Sequence, residues 1–551
     1  MNTENASPKP PANAVRTAQS EQVARSAGVV SIAIMISRLT GLVRETIMAH
    51  LFGAGFIFDA FLLGFRVPSL ARNLFAEGAF SSAFVPTFTA TLSQEGKEEA
   101  ERLLNLVSTA TCVVIGLFCV LGVLFSPQFV WLLAPGYEAV PGKFALAVHM
   151  SRIMFPFLLL VTLAAQAMGV LNSCNQFFVP ALASTMFNIG SVVSGLALGF
   201  WFGPRLGISP IEGMAYGVVI GGGLQLLWQL PSLHRAGFHF RPSFAWNHPG
   251  MRKILLLMGP ALLGGAALQI NVMVNTNFAS RIADPLRGHD GPVSWLSYSF
   301  RFMQLPLGLF GAAFASALLP AVSRSASEKN FVEFRRTMSH TFSLVFLMTI
   351  PASVGLIILG RPIIGAIFQG GRFDAYDTKQ TAVALSCFAI GLLGYSATKI
   401  LNPAFYALSD AHTPMYASLL SILANFGIAF ALLRWLHFGH AALALSTSAV
   451  AILEALFLFE RLRRKLGGLE GRFIVQSLGR VCLATALMAV PVAGANYWFG
   501  SHTAMSRLGY LSEIAVCLPV GLIVFAGSAR LLGVEELSYV TGLFLRARAK
   551  F

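Results

Sequence analysis

Charge is scarce in this sequence. Of its 551 residues 11% are Asp, Glu, Lys or Arg, about half of what a soluble globular domain carries, which excludes a fold bathed in water. Cysteine is scarce as well. The six (Cys112, Cys119, Cys174, Cys387, Cys482 and Cys517) are scattered through apolar segments without a CxxC pair, so neither a disulfide framework nor a zinc site is indicated. Alternating segments of about ten residues, the mark of an outer-membrane barrel, are missing. No HExxH occurs, and the Gly221, Gly222, Gly223 run lacks the strand and the GK[ST] of a phosphate loop. Its glycines are expected to serve helix packing. Acids within apolar segments are too few and too separated for a metal site, so no catalytic residue, metal or cofactor is assigned. Residues 1–26 have no apolar core, and the first apolar run continues straight into an arginine-bearing segment; this reads as a disordered cytoplasmic tail rather than a cleaved signal.

What the chain has is apolar length. Hydrophobic residues make up 55%, the mean hydropathy is +0.68, and runs of about 20 apolar residues, each enough to cross the hydrocarbon core as a helix, recur from residue 28 almost to the end. Boundaries at Gly, Pro and charge give fourteen spans, the second over 57–92, the seventh over 253–281 and the eighth over 292–322. The expected fold is an all-α polytopic membrane protein. Placing the N-terminus in the cytoplasm puts 21 Lys and Arg in the tails and even-numbered loops and nine on the other side, which predicts both termini in the cytoplasm. The net charge of +15 is thereby accounted for without nucleic acid. Nine basic residues lie in or at the edge of spans: Arg38, Arg44, Arg66, Arg72, Arg152, Arg301, Lys399, Arg480 and Arg530.

Sliding the sequence against itself by 234 residues brings AFSSAFVP (79–86) onto AFASALLP (313–320), Arg102 onto Arg336, Gly136 onto Gly370 and PALAS (180–184) onto PMYAS (414–418). The second span meets the eighth and the fifth meets the eleventh, so the two copies share one membrane orientation. This predicts parallel six-helix lobes, 27–236 and 249–465, an architecture of transporters with the substrate site at the repeat interface. Spans thirteen and fourteen, within 473–546, are an addition.

The stretch Ser37–Pro86 carries Arg38, Arg44, Glu45, Asp59, Arg66, Arg72 and Glu77 in an otherwise apolar sequence. Charges there face a cavity, a partner or a substrate, because the hydrocarbon penalises them by several kcal/mol or more. Four arginines against three acids leave a cationic excess, which calls for an anion. Arg38 and Arg44 flank Gly41, and Arg66 and Arg72 flank Pro68; a bend at each is expected to gather both guanidinium groups. The bland alternative is snorkelling or static pairing with Glu45, Asp59 and Glu77. Arg301 is the arginine of the eighth span. A planar guanidinium grips phosphate oxygens in pairs, so clustered arginines indicate a multiply charged phosphate ligand, with Lys399 and Arg152 as possible extensions of the same surface.

The run SRLTGLVRE, then FGAG, DAF and P-SL-RNLFAEGAFSSAFVP, with LAPG at 133–136, MGPA at 258–261 and FYA at 405–407, resembles the MurJ (MviN) lipid II flippases of the multidrug/oligosaccharidyl-lipid/polysaccharide exporter superfamily. That resemblance implies fourteen helices in the bacterial inner membrane, working as a monomer, with two lobes around a cationic cavity and a lipid-tail groove on the last two helices. It implies movement of lipid II, an undecaprenyl diphosphate bearing the peptidoglycan unit, to the periplasmic leaflet by alternating access. Arg38, Arg44, Arg72 and Arg301 match the diphosphate-binding positions, and Arg66, Asp59 and Glu77 belong to the same substrate-binding set. Cell-wall synthesis proteins and membrane lipids are the further partners. Gln304 stands where some relatives have an acid, and the seventh span offers Gln269, Asn271 and Asn275 without an acid, so no sodium site is expected. The competing readings are an exporter of lipid-linked polysaccharide or drugs, a membrane glycosyltransferase, and a scaffold. A drug exporter calls for cavity acids, a transferase for a large external loop, and a scaffold leaves the arginines unexplained.

Overall fold

Hydrocarbon offers no hydrogen bonds, so a chain that crosses it must satisfy its backbone within each segment. The computed structural model, which describes residues 12–74, 80–308, 312–502, 506–534 and 536–537, meets that demand with helices. Among the described residues the only β-pairing is two isolated bridges, Asp284 with Gly288 and Gly370 with Phe373. Among the described residues eight helical segments are each long and apolar enough to span a membrane, and the bent pair Ala375–Ile390 and Leu392–Ala407, meeting at 42°, makes a ninth when counted as one span. The protein is therefore all-α and multi-pass. On that measure the expected count of fourteen spans is not confirmed. The second falls on Phe56–Arg72 and Ser81–Gln94, and the eighth on Pro292–Pro306 and Ala312–Ser327.

The repeat is written into the helix ends. Lys97 and Phe331 open helices 234 residues apart, as do Phe178 and His412, while Arg72 and Pro306 close helices with the same separation.

The chain forms two compact units: Met1–Ile47, Gly64–Phe129 and Val148–Gly265 in the first, and Met48–Leu63, Val130–Ala147 and Ala266–Phe551 in the second. Between helices in lipid the hydrophobic drive is weak and close van der Waals packing replaces it. In the first unit the Phe178–Leu196 and Pro210–Leu227 helices approach through small residues. A Cβ on Gly221 would lie 2.7 Å from the Phe187 carbonyl oxygen, and one on Gly222 would lie 2.8 Å from the Phe157 ring. Gly223 faces open space, so two of the three run glycines serve packing. A second core of this unit joins Phe80, Phe84, Phe88, Leu103 and Phe238.

The second unit has one core around Phe334, Phe342, Leu401 and Phe405. In another, Val481, Met488, Cys517 and Phe525 of the last two helices, Gly471–His502 and Arg507–Leu531, pack on Leu347 and Leu359. Arg507 Nε donates to the Ala366 carbonyl at 2.9 Å, which ties the added pair to the Phe331–Phe368 helix.

Candidate functional site

The Ala12–Phe52 helix is continuous through Gly41, so the chain does not unwind there. Six residues of continuous helix place Arg38 and Arg44 about 120° apart around the axis. Gly41 is instead a docking point: a Cβ there would sit 3.4 Å from Asn188 Nδ2. That amide donates to the Ser37 carbonyl at 3.1 Å and to Thr40 Oγ1 at 3.3 Å. Arg38 is exposed and Arg44 half-buried. The Arg44 guanidinium lies 5.3 Å from the centre of the Phe187 ring and 3.6 Å from Glu45, a contact typical of a cation held near an apolar wall.

Arg66 and Arg72 are half-buried on the Phe56–Arg72 helix, with Pro68 between them. Arg72 donates through Nε and a terminal nitrogen to Asn73 Oδ1, at 3.3 and 3.0 Å, which fixes its fork at the helix end. These four arginines fall in the first unit. Arg301 is exposed on the Pro292–Pro306 helix of the second unit, with Gln304 exposed one turn on. Arg152 and Lys399 are exposed too. Glu77 lies outside the described residues.

Asp59 sits elsewhere in kind. It is completely buried, and so is Lys143 at the start of the Lys143–Met154 helix. Lys143 Nζ donates to Asp59 Oδ2 at 2.8 Å, Asp290 Oδ1 at 2.7 Å and the His289 carbonyl at 2.9 Å, using all three of its protons. It also lies 4.4 Å from the centre of the Tyr137 ring. Asp59 Oδ2 accepts from the Gly291 amide at 2.9 Å, and Oδ1 accepts from the Ser294 amide at 3.0 Å and from the Ser294 hydroxyl. Gly291 is the N-cap of the Pro292–Pro306 helix and has no side chain with which to cap it. Asp59 supplies that carboxylate from another helix, where the helix dipole favours it. Gly291 itself is required: its φ is +107°, and a Cβ would run into the Trp295 ring.

The knot continues through Trp295, whose indole donates to the buried Asp377 at 2.9 Å. Asp377 and Asp374 form a capping box on the Ala375–Ile390 helix. Arg287 pairs with Asp374 and stands 3.5 Å from Asp377. Tyr376 donates its hydroxyl to Asp284 at 2.9 Å. All of these residues belong to the second unit. The oxygens of Asp59, read from sequence as substrate-binding, are occupied by protein donors. Lys143, Asp290, Arg287, Trp295 and Asp377 were not singled out from sequence. The repeat register could have found one of them, because it carries Lys143 onto Asp377.

Asn271 and Asn275 of the seventh span join a neutral ladder. Asn271 donates to Ser421 at 3.1 Å, Asn275 to Thr447 at 3.0 Å, and Asn425 to Asn275 at 2.9 Å. Hydroxyls and amides thus meet one another across three helices without an ion pair.

A bundle of membrane-crossing helices built from two repeated sets has the fold of a membrane transporter of the exporter class. Solved multidrug exporters share that fold. An inward-facing transporter of the multidrug resistance MATE family superposes with a TM-score of 0.60 over 80% of this chain and 94% of its own, at 16% identity. The nearer likeness is to a structure described as lipid II flippase MurJ in an inward closed conformation, with a TM-score of 0.73, 26% identity, and coverage of 91% of this chain and 99% of that one. The family model for lipid II flippase MurJ matches residues 48–511. Lipid II flippase MurJ of Burkholderia cenocepacia is 33% identical over 526 residues, 94% of this chain and 97% of that protein. A probable lipid II flippase MurJ of Buchnera aphidicola is 33% identical over 465 residues, 84% and 88% of the two chains. The chain belongs to the MurJ lipid II flippase family.

Proposed function

We propose that this protein moves lipid II from the cytoplasmic to the periplasmic leaflet of the bacterial inner membrane by alternating access. Arg38, Arg44, Arg72 and Arg301 bind the diphosphate in this reading, and Arg66 and Glu77 shape the charge around them. Asp59 contributes through the knot that it holds. The observation that carries the reading is the family match over residues 48–511, joined to a concentration of arginine in apolar sequence that an anionic lipid-linked substrate would explain. Both termini lie in the cytoplasm, residues 27–236 and 249–465 act as the rocking lobes, and the helices within 473–546 receive the lipid tail. The protein acts as a monomer, beside cell-wall synthesis proteins. A membrane potential would favour outward movement of an anionic head group by about 2.3 kcal/mol per charge per 100 mV, less whatever charge the arginines neutralise. The cationic sign is what weighs against a drug exporter.

The test is depletion of the protein in cells, with lipid II read by a probe that reaches only the periplasmic face. Exposure of lipid II should fall on depletion and return with the wild-type chain. Arg44→Ala and Arg301→Ala at normal abundance should fail to restore it, and Arg44→Lys should restore it partly, since an ammonium keeps the charge and loses the fork. Full rescue by both alanine variants would sink the arginine site, and unchanged exposure after depletion would sink the flippase reading.

A further inference from the structure

Between the Leu230–Arg235 and Pro249–Arg281 helices lies a strap, residues 238–245, that is neither helix nor turn. Its first residue, Phe238, is buried 5.7 Å from the Phe88 ring. From there the backbone is stitched to the Lys97–Leu124 helix at every second amide. His239 N–H donates to Glu101 Oε1 at 2.9 Å, Arg241 N–H to Asn105 Oδ1 at 2.9 Å, and Ser243 N–H to Thr109 Oγ1 at 3.0 Å. Two extended residues advance about 6.6 Å and four helical residues about 6.0 Å, so the two ladders stay in step over three rungs. His248 closes the far end on Glu99 at 3.0 Å.

What the strap turns outward is aromatic and basic. Phe240, Phe244 and Trp246 are 58%, 63% and 50% exposed. Arg235, Arg241, Arg252 and Lys253 are exposed and, among the described residues, make no ion pair. The acids at the start of the Lys97–Leu124 helix are engaged elsewhere: Glu98 and Glu99 hold Arg102, while Glu99 and Glu101 hold the strap. The rungs satisfy the alternate amides of His239, Arg241 and Ser243, which lowers the cost of entering a lipid interface; the Phe rings add apolar area, and the Trp246 indole, apolar with one polar edge, favours that zone.

We propose that the strap is an interfacial anchor. Phe240, Phe244 and Trp246 seat among the head groups and upper acyl chains of the bilayer, and Arg235, Arg241, Arg252 and Lys253 hold the phosphates of anionic phospholipids. The strap is stitched to the N-terminal turns of the Lys97–Leu124 helix, which is long and apolar enough to span the membrane; that places it at the bilayer surface, and the rungs hold its rings facing the lipid. This assignment depends on the membrane-spanning fold alone and stands whatever the transported substrate is.

The test uses the full chain in nanodiscs of equal phosphatidylglycerol and phosphatidylcholine, without lipid II. A benzoylphenylalanine replaces Phe244, and a second sample carries it at the lipid-open position of Gly116. After illumination, lipid adducts are weighed by mass spectrometry. Position 244 should capture lipid with about a fivefold preference for phosphatidylglycerol, the gain of about one basic contact at an anionic surface, and position 116 should show no preference. Combined Arg241→Gln, Arg252→Gln and Lys253→Gln should abolish the preference at 244 and leave capture itself. Absence of lipid adducts at 244, or equal capture of both lipids by the unsubstituted chain, overturns the proposal. So does predominant capture of a protein at 244 in native membranes.

Discussion

Replacing Lys143 by Met keeps the length of the side chain and removes its charge from a site where two carboxylates converge. Asp59 then retains its bonds from Gly291 and Ser294 but loses its cation in full burial. Breaking a buried pair by removing one partner costs about 3–5 kcal/mol. Asp59→Asn is milder in charge and worse in geometry, because one carboxamide end must present N–H groups where Lys143 and Gly291 also donate. With two acceptor bonds lost at about 1–1.5 kcal/mol each, about 2–3 kcal/mol is expected. The double variant relieves the clash of donors, so its cost should fall short of the sum by about 1–3 kcal/mol. The assay is the rate at which the buried thiol of Cys517 becomes reactive during heating in nanodiscs, resolved by mass spectrometry. At 1.4 kcal/mol per factor of ten, Lys143→Met should speed exposure about a hundredfold or more if the knot opens before the barrier. A rate within about threefold of wild type, or strict additivity in the double variant, would refute the reasoning.

Gly136→Ala forces a Cβ into the Ser280 carbonyl and should destabilise by about 1–3 kcal/mol, whereas Gly116→Ala, facing open space, should be neutral or gain up to about 1 kcal/mol; thermal inactivation of the two variants separates them. Asn188→Ala removes the bonds to Ser37 and Thr40 and should cost about 0.6–1.7 kcal/mol by the same measurement. At Asp410, burial raises the pKa, but Lys465 at 2.7 Å and the Thr413 donors outweigh it and hold the carboxyl down to about 2. A folded-state value below the unfolded one stabilises above about pH 4 and is lost as pH falls toward 2, so on going from pH 5 to pH 3 wild type should lose more thermal stability than Asp410→Asn; equal losses would contradict the pairing. Asn105→Ala removes the acceptor of the Arg241 amide and should raise hydrogen exchange at that amide about tenfold, from a loss of about 1.4 kcal/mol; unchanged protection would show that the rung contributes nothing.

The all-helical membrane fold was legible because apolar run length is a direct physical demand of the bilayer, and the repeat was legible because Gly136, Gly370 and the AFSSAFVP motif keep one register. Helix breaks were less so. Gly41 and Pro68 read as weak points in isolation, yet each lies inside a continuous helix, and Gly41 faces Asn188, a contact 147 positions away that no local pattern reports. The arginines were found by their cost in apolar sequence. Lys143 escaped the same test, since the stretch GYEAVPGKF places it beside a loop and a loop lysine reads as solvated. Its burial depends on Asp59 and Asp290, neither of which is near it in sequence.

Lys143 nevertheless breaks a local rule. It opens a helix, where the dipole favours an acid and penalises a cation. Asp377, 234 positions later, stands near the start of the register-equivalent helix and obeys the rule, with its carboxylate in a capping box. Equivalent positions of a repeat that carry buried charges of opposite sign cannot both be serving their own helices. Asp377 serves its helix and takes Trp295 and Arg287 as added partners. Lys143 works against its helix, and its retention needs a compensating gain. That gain is the pairing with Asp59, which caps the helix beginning at Pro292 because Gly291 cannot. An acid at position 143 would satisfy the local helix and leave three carboxylates facing one another, so the inversion of sign in one copy is what allows Asp59 to be buried at all.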